Sequence, residues 1–178
     1  MKIAIMGFSG SGKSTLARCL GRHYSIPVYH LDRIHWLPGW KERERGLACA
    51  MIEDILTQPE WIIDGNYSHY QLDRRLAESD HIIYLGFSRW NCLWRVVKRR
   101  LTYHGRSRDD MGEGCLERLD AAFICWIMYQ GRDRLHRQAY ARFLKLYAEK
   151  VVILRNQREM DDYLQSLLAN SIITQDGN

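Results

Sequence analysis

The sequence is poor in proline, with only 3 in 178 residues. It has no glycine–serine linker, no low-complexity block and no internal repeat. A disordered or fibrous chain is thereby excluded, and one domain of ordinary size, spanning 1–178, is expected. Long apolar runs are missing as well. The chain opens directly on Ile3-Ala4-Ile5-Met6, far too short for a signal sequence or a membrane span. Cysteine is sparse: Cys19, Cys49, Cys92, Cys115 and Cys125 are odd in number and form no CxxC pair. That argues against a disulfide framework or a zinc site and for a reducing cytoplasm. The histidines show no metal-ligand spacing. Acidic residues are absent from Arg89 to Arg108, in a chain whose net charge is +5. Such a stretch suits a solvated face, a nucleic acid or a phosphorylated small molecule.

What is present alternates strand with helix. Short apolar runs predict strands at Lys2–Met6, Pro27–Leu31, Trp61–Asp64, His81–Leu85 and Val151–Leu154. Helical spacing predicts helices at Lys13–Tyr24, Lys41–Thr57, Gln71–Ala77, Arg89–Tyr103 and Glu159–Leu168. Leu116–Ala148 reads as one long helix or two, with Gly131 as the candidate break. Repeated strand–helix units give a parallel sheet covered by helices on both faces. Ligands on such sheets bind beyond the carboxyl ends of the strands.

One motif stands out there. Gly7-Phe8-Ser9-Gly10-Ser11-Gly12-Lys13-Ser14 satisfies G-x-x-x-x-G-K-[ST]. Small residues let the loop wrap so that successive backbone N–H groups face one anion, and the helix after it adds its positive end. The expected phosphate ligands are Gly7, Ser9, Gly10, Ser11, Gly12, Lys13, Ser14 and Thr15. Lys13 is expected to reach the β- and γ-phosphates of ATP, and Ser14 to bind magnesium.

Asp32 and Asp64 each follow a predicted strand. A carboxylate beside the first strand can hold the magnesium shell through water, and Asp64 has the more typical setting. The alternative for Asp64 is a cap before Asn66, and for Asp32 a surface turn. If the acceptor is an alcohol, a base is needed and Asp32 is the choice. If it is a phosphate, none is needed. On the Arg89–Tyr103 helix, Trp90, Leu93, Trp94, Val97 and Leu101 share one face, and Arg95, Lys98 and Arg99 the opposite one. Arginines on a mobile segment can stabilise a transferring phosphoryl group. His35, Trp36, Trp40 and Tyr67 either sandwich a nucleobase or simply pack under a loop.

The stretches MKIAIMGFSGSGKSTLA (Met1–Ala17), His30-Leu31-Asp32, WIIDGNY (Trp61–Tyr67) and RDDMGEGC (Arg108–Cys115) resemble the bacterial topology modulation proteins, small P-loop proteins related to adenylate kinase. The resemblance implies a nucleoside-monophosphate-kinase-like P-loop fold, with a five-stranded parallel sheet of order 2-3-1-4-5 and a lid after the fourth strand, here about 89–118. The stretch from Arg108 to Arg118 is similar to the lid-closing region of adenylate kinases, which implies phosphate contacts for both arginines. The Gly-Phe-Pro-Arg type sequence of adenylate kinases is replaced by Asn66-Tyr67, so the acceptor site stays unidentified. The family label suggests DNA, yet no DNA-reading module is visible.

The expectation is therefore an ATP- and magnesium-dependent phosphotransferase acting on a nucleotide or other small acceptor. Lys13 and the loop hold phosphate, Ser14 and Asp64 organise magnesium, Arg95, Arg99, Arg108 and Arg118 serve the lid, and Asn156 lies near the adenine. The alternative is a nucleotide-dependent regulatory protein that contacts DNA through the basic lid.

Overall fold

A computed structural model describes residues 1–102, 114–115 and 119–175. Its centre is a sheet of five apolar strands: β1 (Lys2–Gly7), β2 (Val28–His30), β3 (Trp61–Asp64), β4 (His81–Leu85) and β5 (Val151–Leu154). All neighbours run parallel, and the spatial order is β2-β3-β1-β4-β5. This is the 2-3-1-4-5 order expected above.

The helices are α1 (Lys13–Tyr24), α2 (Leu31–His35), α3 (Arg45–Leu56), α4 (Leu72–Glu78), α5 (Arg89–Thr102), α6 (Ala121–Met128), α7 (Arg134–Leu146) and α8 (Gln157–Gln175). Alternation along β1 sends Ile3 and Ile5 to one face and Ala4 and Met6 to the other. The first pair packs with Leu16 and Leu20 of α1, Val96 of α5, Ile127 of α6 and Met160 of α8. The second packs with Leu31 of α2, Ile52 of α3, Leu76 of α4 and Phe143 of α7. The result is three layers. No helix among the described residues is long and apolar enough to cross a membrane.

Two sequence expectations change, and one open alternative resolves. The second strand is shorter than Pro27–Leu31, because Leu31 already opens α2. The helix expected from Lys41 starts at Arg45, since Lys41–Glu42 instead pairs antiparallel with Trp36–Leu37. The turn between them sets Gly39 and Trp40 at φ 76 and 65. The long helix breaks as Gly131 suggested, into α6, a 3₁₀ turn at Gln130–Arg132, and α7. On α5 the apolar stripe is split: Leu93 packs partly against the core, whereas Trp90, Trp94 and Leu101 are 67%, 69% and 76% exposed, and Cys92 and Val96 are fully buried.

Candidate active site

The β1–α1 loop lies at the carboxyl end of the central strand. Gly10 and Gly12 adopt φ 80 and 98, a region costly for residues with a Cβ. A Cβ at Gly10 would sit 2.7 Å from both the Cys92 carbonyl oxygen and Val96 Cγ2, and one at Gly12 would run into the Arg95 guanidinium. The loop therefore lies directly on α5. The Ser11 N–H donates to the Phe8 carbonyl at 3.1 Å, and Leu16 N–H makes the first helical bond, to Gly12, at 3.0 Å. The N–H groups of Lys13, Ser14 and Thr15 precede that bond and face the cleft end of α1 without intrahelical acceptors. Lys13 Nζ folds back to donate to the Phe8 carbonyl at 3.1 Å. The geometry is a cradle of backbone donors with one ammonium over it, which fits a phosphate chain.

The loop is braced from β3. Asn66 Nδ2 donates to the Gly7 carbonyl at 2.6 Å and Asn66 Oδ1 accepts the Gly7 N–H at 3.1 Å. The same amide nitrogen donates to the Tyr140 hydroxyl oxygen at 3.1 Å. Asn66→Ala is expected to cost about 2 kcal/mol of stability and to weaken nucleotide binding, because the start of the loop loses both tethers. Thermal melting and calorimetric titration check this, and unchanged values in both would refute the bracing role.

Arg75, which the sequence reading did not single out, holds the rest of that segment. It is 1% exposed. Its guanidinium donates to the carbonyls of Gly65 (3.1 Å), Tyr67 (2.7 Å) and Tyr70 (2.8 Å). Burial pushes it down to about 10, still charged at neutral pH.

Asp64 is 4% exposed and lies beneath the cleft wall. Its Oδ2 is 2.9 Å from His30 Nδ1, and its Oδ1 is buried without a hydrogen-bond partner. An unmatched buried carboxylate oxygen at this end of β3 fits the outer water shell of a magnesium ion. Ser14, on the first turn of α1, lines the cleft. Asp32 also lines it, on α2, with Oδ1 accepting from the Tyr67 hydroxyl at 2.7 Å. Burial first, and the Asp32 charge second, raise Tyr67 far above the usual phenol range, so that hydroxyl remains a donor.

The cleft has a volume of about 1720 Å³. Lys13, Arg95, Lys98 and Arg99 all line it. Arg95 lies over the Phe87 ring at 5.3 Å and bonds the Gln157 side-chain oxygen. Burial lowers its pKa. Arg108 and Arg118 lie outside the described residues. Arg132 joins the cleft as well: the Gly131 break turns it over the Phe8 ring at 3.6 Å, and it donates to the Phe87 carbonyl at 3.0 Å.

Asn156 is engaged at a helix start. Its Oδ1 accepts the Glu159 N–H at 3.0 Å and its Nδ2 donates to Glu159 Oε1 at 2.7 Å. It caps α8, and the neighbouring Gln157 lines the cleft instead. In the aromatic cluster Trp36 meets Trp40 edge to face at 5.4 Å and 68°, and His35 at 4.5 Å and 79°, while His35 and Tyr67 are tilted at 41°. That geometry is not a parallel sandwich, although both indoles line the cleft.

No family model matches the chain, and no curated protein does. Among solved structures it is similar to shikimate kinase from Aquifex aeolicus vf5, at 16% identity over 100% of both chains with a TM-score of 0.46. It is similar to a gluconokinase from Sinorhizobium meliloti 1021, at 16% identity over 97% of this chain and 96% of that one, TM-score 0.49. It is also similar to shikimate kinase from Bacteroides thetaiotaomicron, at 17% identity over 94% and 96%, TM-score 0.45. At these values the chemistry of the chain is read from its own residues.

Proposed function

We propose that this chain is an ATP- and magnesium-dependent phosphotransferase acting on a small acceptor. The observation that carries the reading is the Gly7–Thr15 loop: two left-handed glycines pressed against α5, open amides at the start of α1, and Lys13 folded over them. Lys13 and the loop amides bind the triphosphate. Ser14 and Asp64 hold magnesium, the latter through water. When bound, the ion neutralises phosphate charge and polarises the terminal phosphoryl group. Arg95, Arg99 and Arg132, which line the same cleft as Lys13, stabilise charge that develops on transfer. Arg108 and Arg118 are proposed to assist from the lid. The likeness to topology modulation proteins belongs to this proposal and rests on the motif stretches.

A DNA-binding role would favour Arg95, Lys98 and Arg99 as an outward stripe. They line the cleft instead, which supports the small-molecule reading. Calorimetric titration with ATP, with and without magnesium, tests it. Saturable binding that tightens with magnesium is expected. Absence of heat in both conditions would refute it.

A further inference from the structure

Acceptors from three parts of the chain converge on one arginine of the cleft. Arg132 follows the buried Gly131 and ends the Gln130–Arg132 turn. Its Nε donates to the Ile127 carbonyl of α6 at 3.1 Å. Its Nη2 donates to the Phe87 carbonyl, just before α5, at 3.0 Å and to Cys92 Sγ of α5 at 3.1 Å. Nη1 has no partner among the described residues, and the side chain lines the cleft. The guanidinium carbon lies 3.6 Å from the centre of the Phe8 ring, and Lys13 Nζ donates to the carbonyl of that same residue. Two cations therefore meet at one residue of the phosphate loop. The segment before Arg132 touches the loop as well, where Trp126 Nε1 donates to Ser9 Oγ at 3.3 Å. A Cβ on Gly131 would come 3.0 Å from that indole nitrogen, so the turn sits on α6 without slack.

Cys92 is fully buried. Burial first raises its thiol pKa, against the opposing pull of Arg132, Lys13 and Arg95. The S–H faces the Phe87 carbonyl at 3.9 Å, which leaves the sulfur lone pairs to Nη2. Its own carbonyl oxygen abuts Gly10. We infer that Cys92 is a positioning residue: its sulfur holds Arg132 so that Nη1 meets the terminal phosphate of the bound triphosphate, and the site thereby distinguishes ATP from ADP. This rests on the phosphotransferase reading and deepens it. A guanidinium already fixed at Nε and Nη2 loses little freedom when a ligand arrives. Its charge is in place before negative charge develops on the moving phosphoryl group. A diphosphate lacks the group that Nη1 would reach.

Calorimetric titration with ATP and with ADP, both with magnesium, tests this without an acceptor. Arg132→Met is expected to weaken ATP binding about 30-fold and ADP binding by no more than about threefold. Cys92→Ala is expected to follow the same pattern at about tenfold for ATP, the loss of one hydrogen bond to a charged group. Cys92→Ser is expected to recover most of that loss, because a hydroxyl oxygen also accepts from Nη2. A merely structural role would act through Gly10 and weaken both nucleotides alike. Melting curves check folding. Cys92→Val, which removes the acceptor and keeps the bulk, carries the same expectation if Cys92→Ala does not fold. Equal losses for ATP and ADP overturn the inference, and so does wild-type ATP affinity in the Cys92 variants or in Arg132→Met. Wild type that binds both nucleotides equally well removes the inference and leaves the phosphotransferase reading. Wild type that binds neither removes that reading too.

Discussion

Replacing Lys13 by alanine is expected to weaken ATP binding about 100-fold or more, some 2.7 kcal/mol, with little change in melting temperature. The two effects separate because Lys13 contributes little to the fold. It is partly exposed, and its only described hydrogen bond is to the Phe8 carbonyl. Against a bound triphosphate the same ammonium would make charge-assisted bonds in a partly desolvated cradle, where each is worth about twice a neutral one. Calorimetry and thermal melting on the same preparation decide the matter. Affinity within threefold of wild type would remove Lys13 from the phosphate site. A collapse of the melting temperature would make it structural.

Arg75→Met is expected to have the largest effect on stability, about 3 kcal/mol, or a fall of about 10 °C in a domain of this size. Methionine fills much of the space, but it leaves the carbonyls of Gly65, Tyr67 and Tyr70 without their buried donor. Arg75→Lys is expected to recover only part of the loss, because one ammonium cannot reproduce the planar fork that reaches three acceptors. Binding should suffer too, since the segment held by Arg75 carries Asn66 and Tyr67. Melting curves within a degree or two of wild type for Arg75→Met would show that the fork is dispensable.

Much of the scaffold was legible because it depends on local pattern. The short apolar strands, the loop spacing at Gly7–Thr15 and the break at Gly131 are written in consecutive residues. What was missed depends on tertiary partners. Arg74 and Arg75 are identical neighbours in the chain, yet Arg74 pairs with Glu53 and Glu78 at the surface while Arg75 is enclosed. On α5 hydrophobic spacing identifies a face but not its orientation, and Trp90, Trp94 and Leu101 turn outward. Gly10 needs close approach, and Cys92 with Val96 provides it better than tryptophan would. Asn156 followed by Glu159 is a capping pattern that can be read locally. The start of α3 was set too early because Pro38-Gly39-Trp40 folds its neighbours into a hairpin, which consumes Lys41 and Glu42.

The exposed indoles of the cleft have an optical consequence. Trp36, Trp40, Trp94 and Trp126 line it, four of the protein's 6 tryptophans, while Trp61 is sealed in the core. Intrinsic emission is thus weighted towards the cavity. Trp36 and Trp40 report from the segment after β2, and Trp94 and Trp126 from α5 and α6. Single tryptophan-to-phenylalanine replacements would therefore resolve which of these elements a ligand meets, with no label attached to the protein.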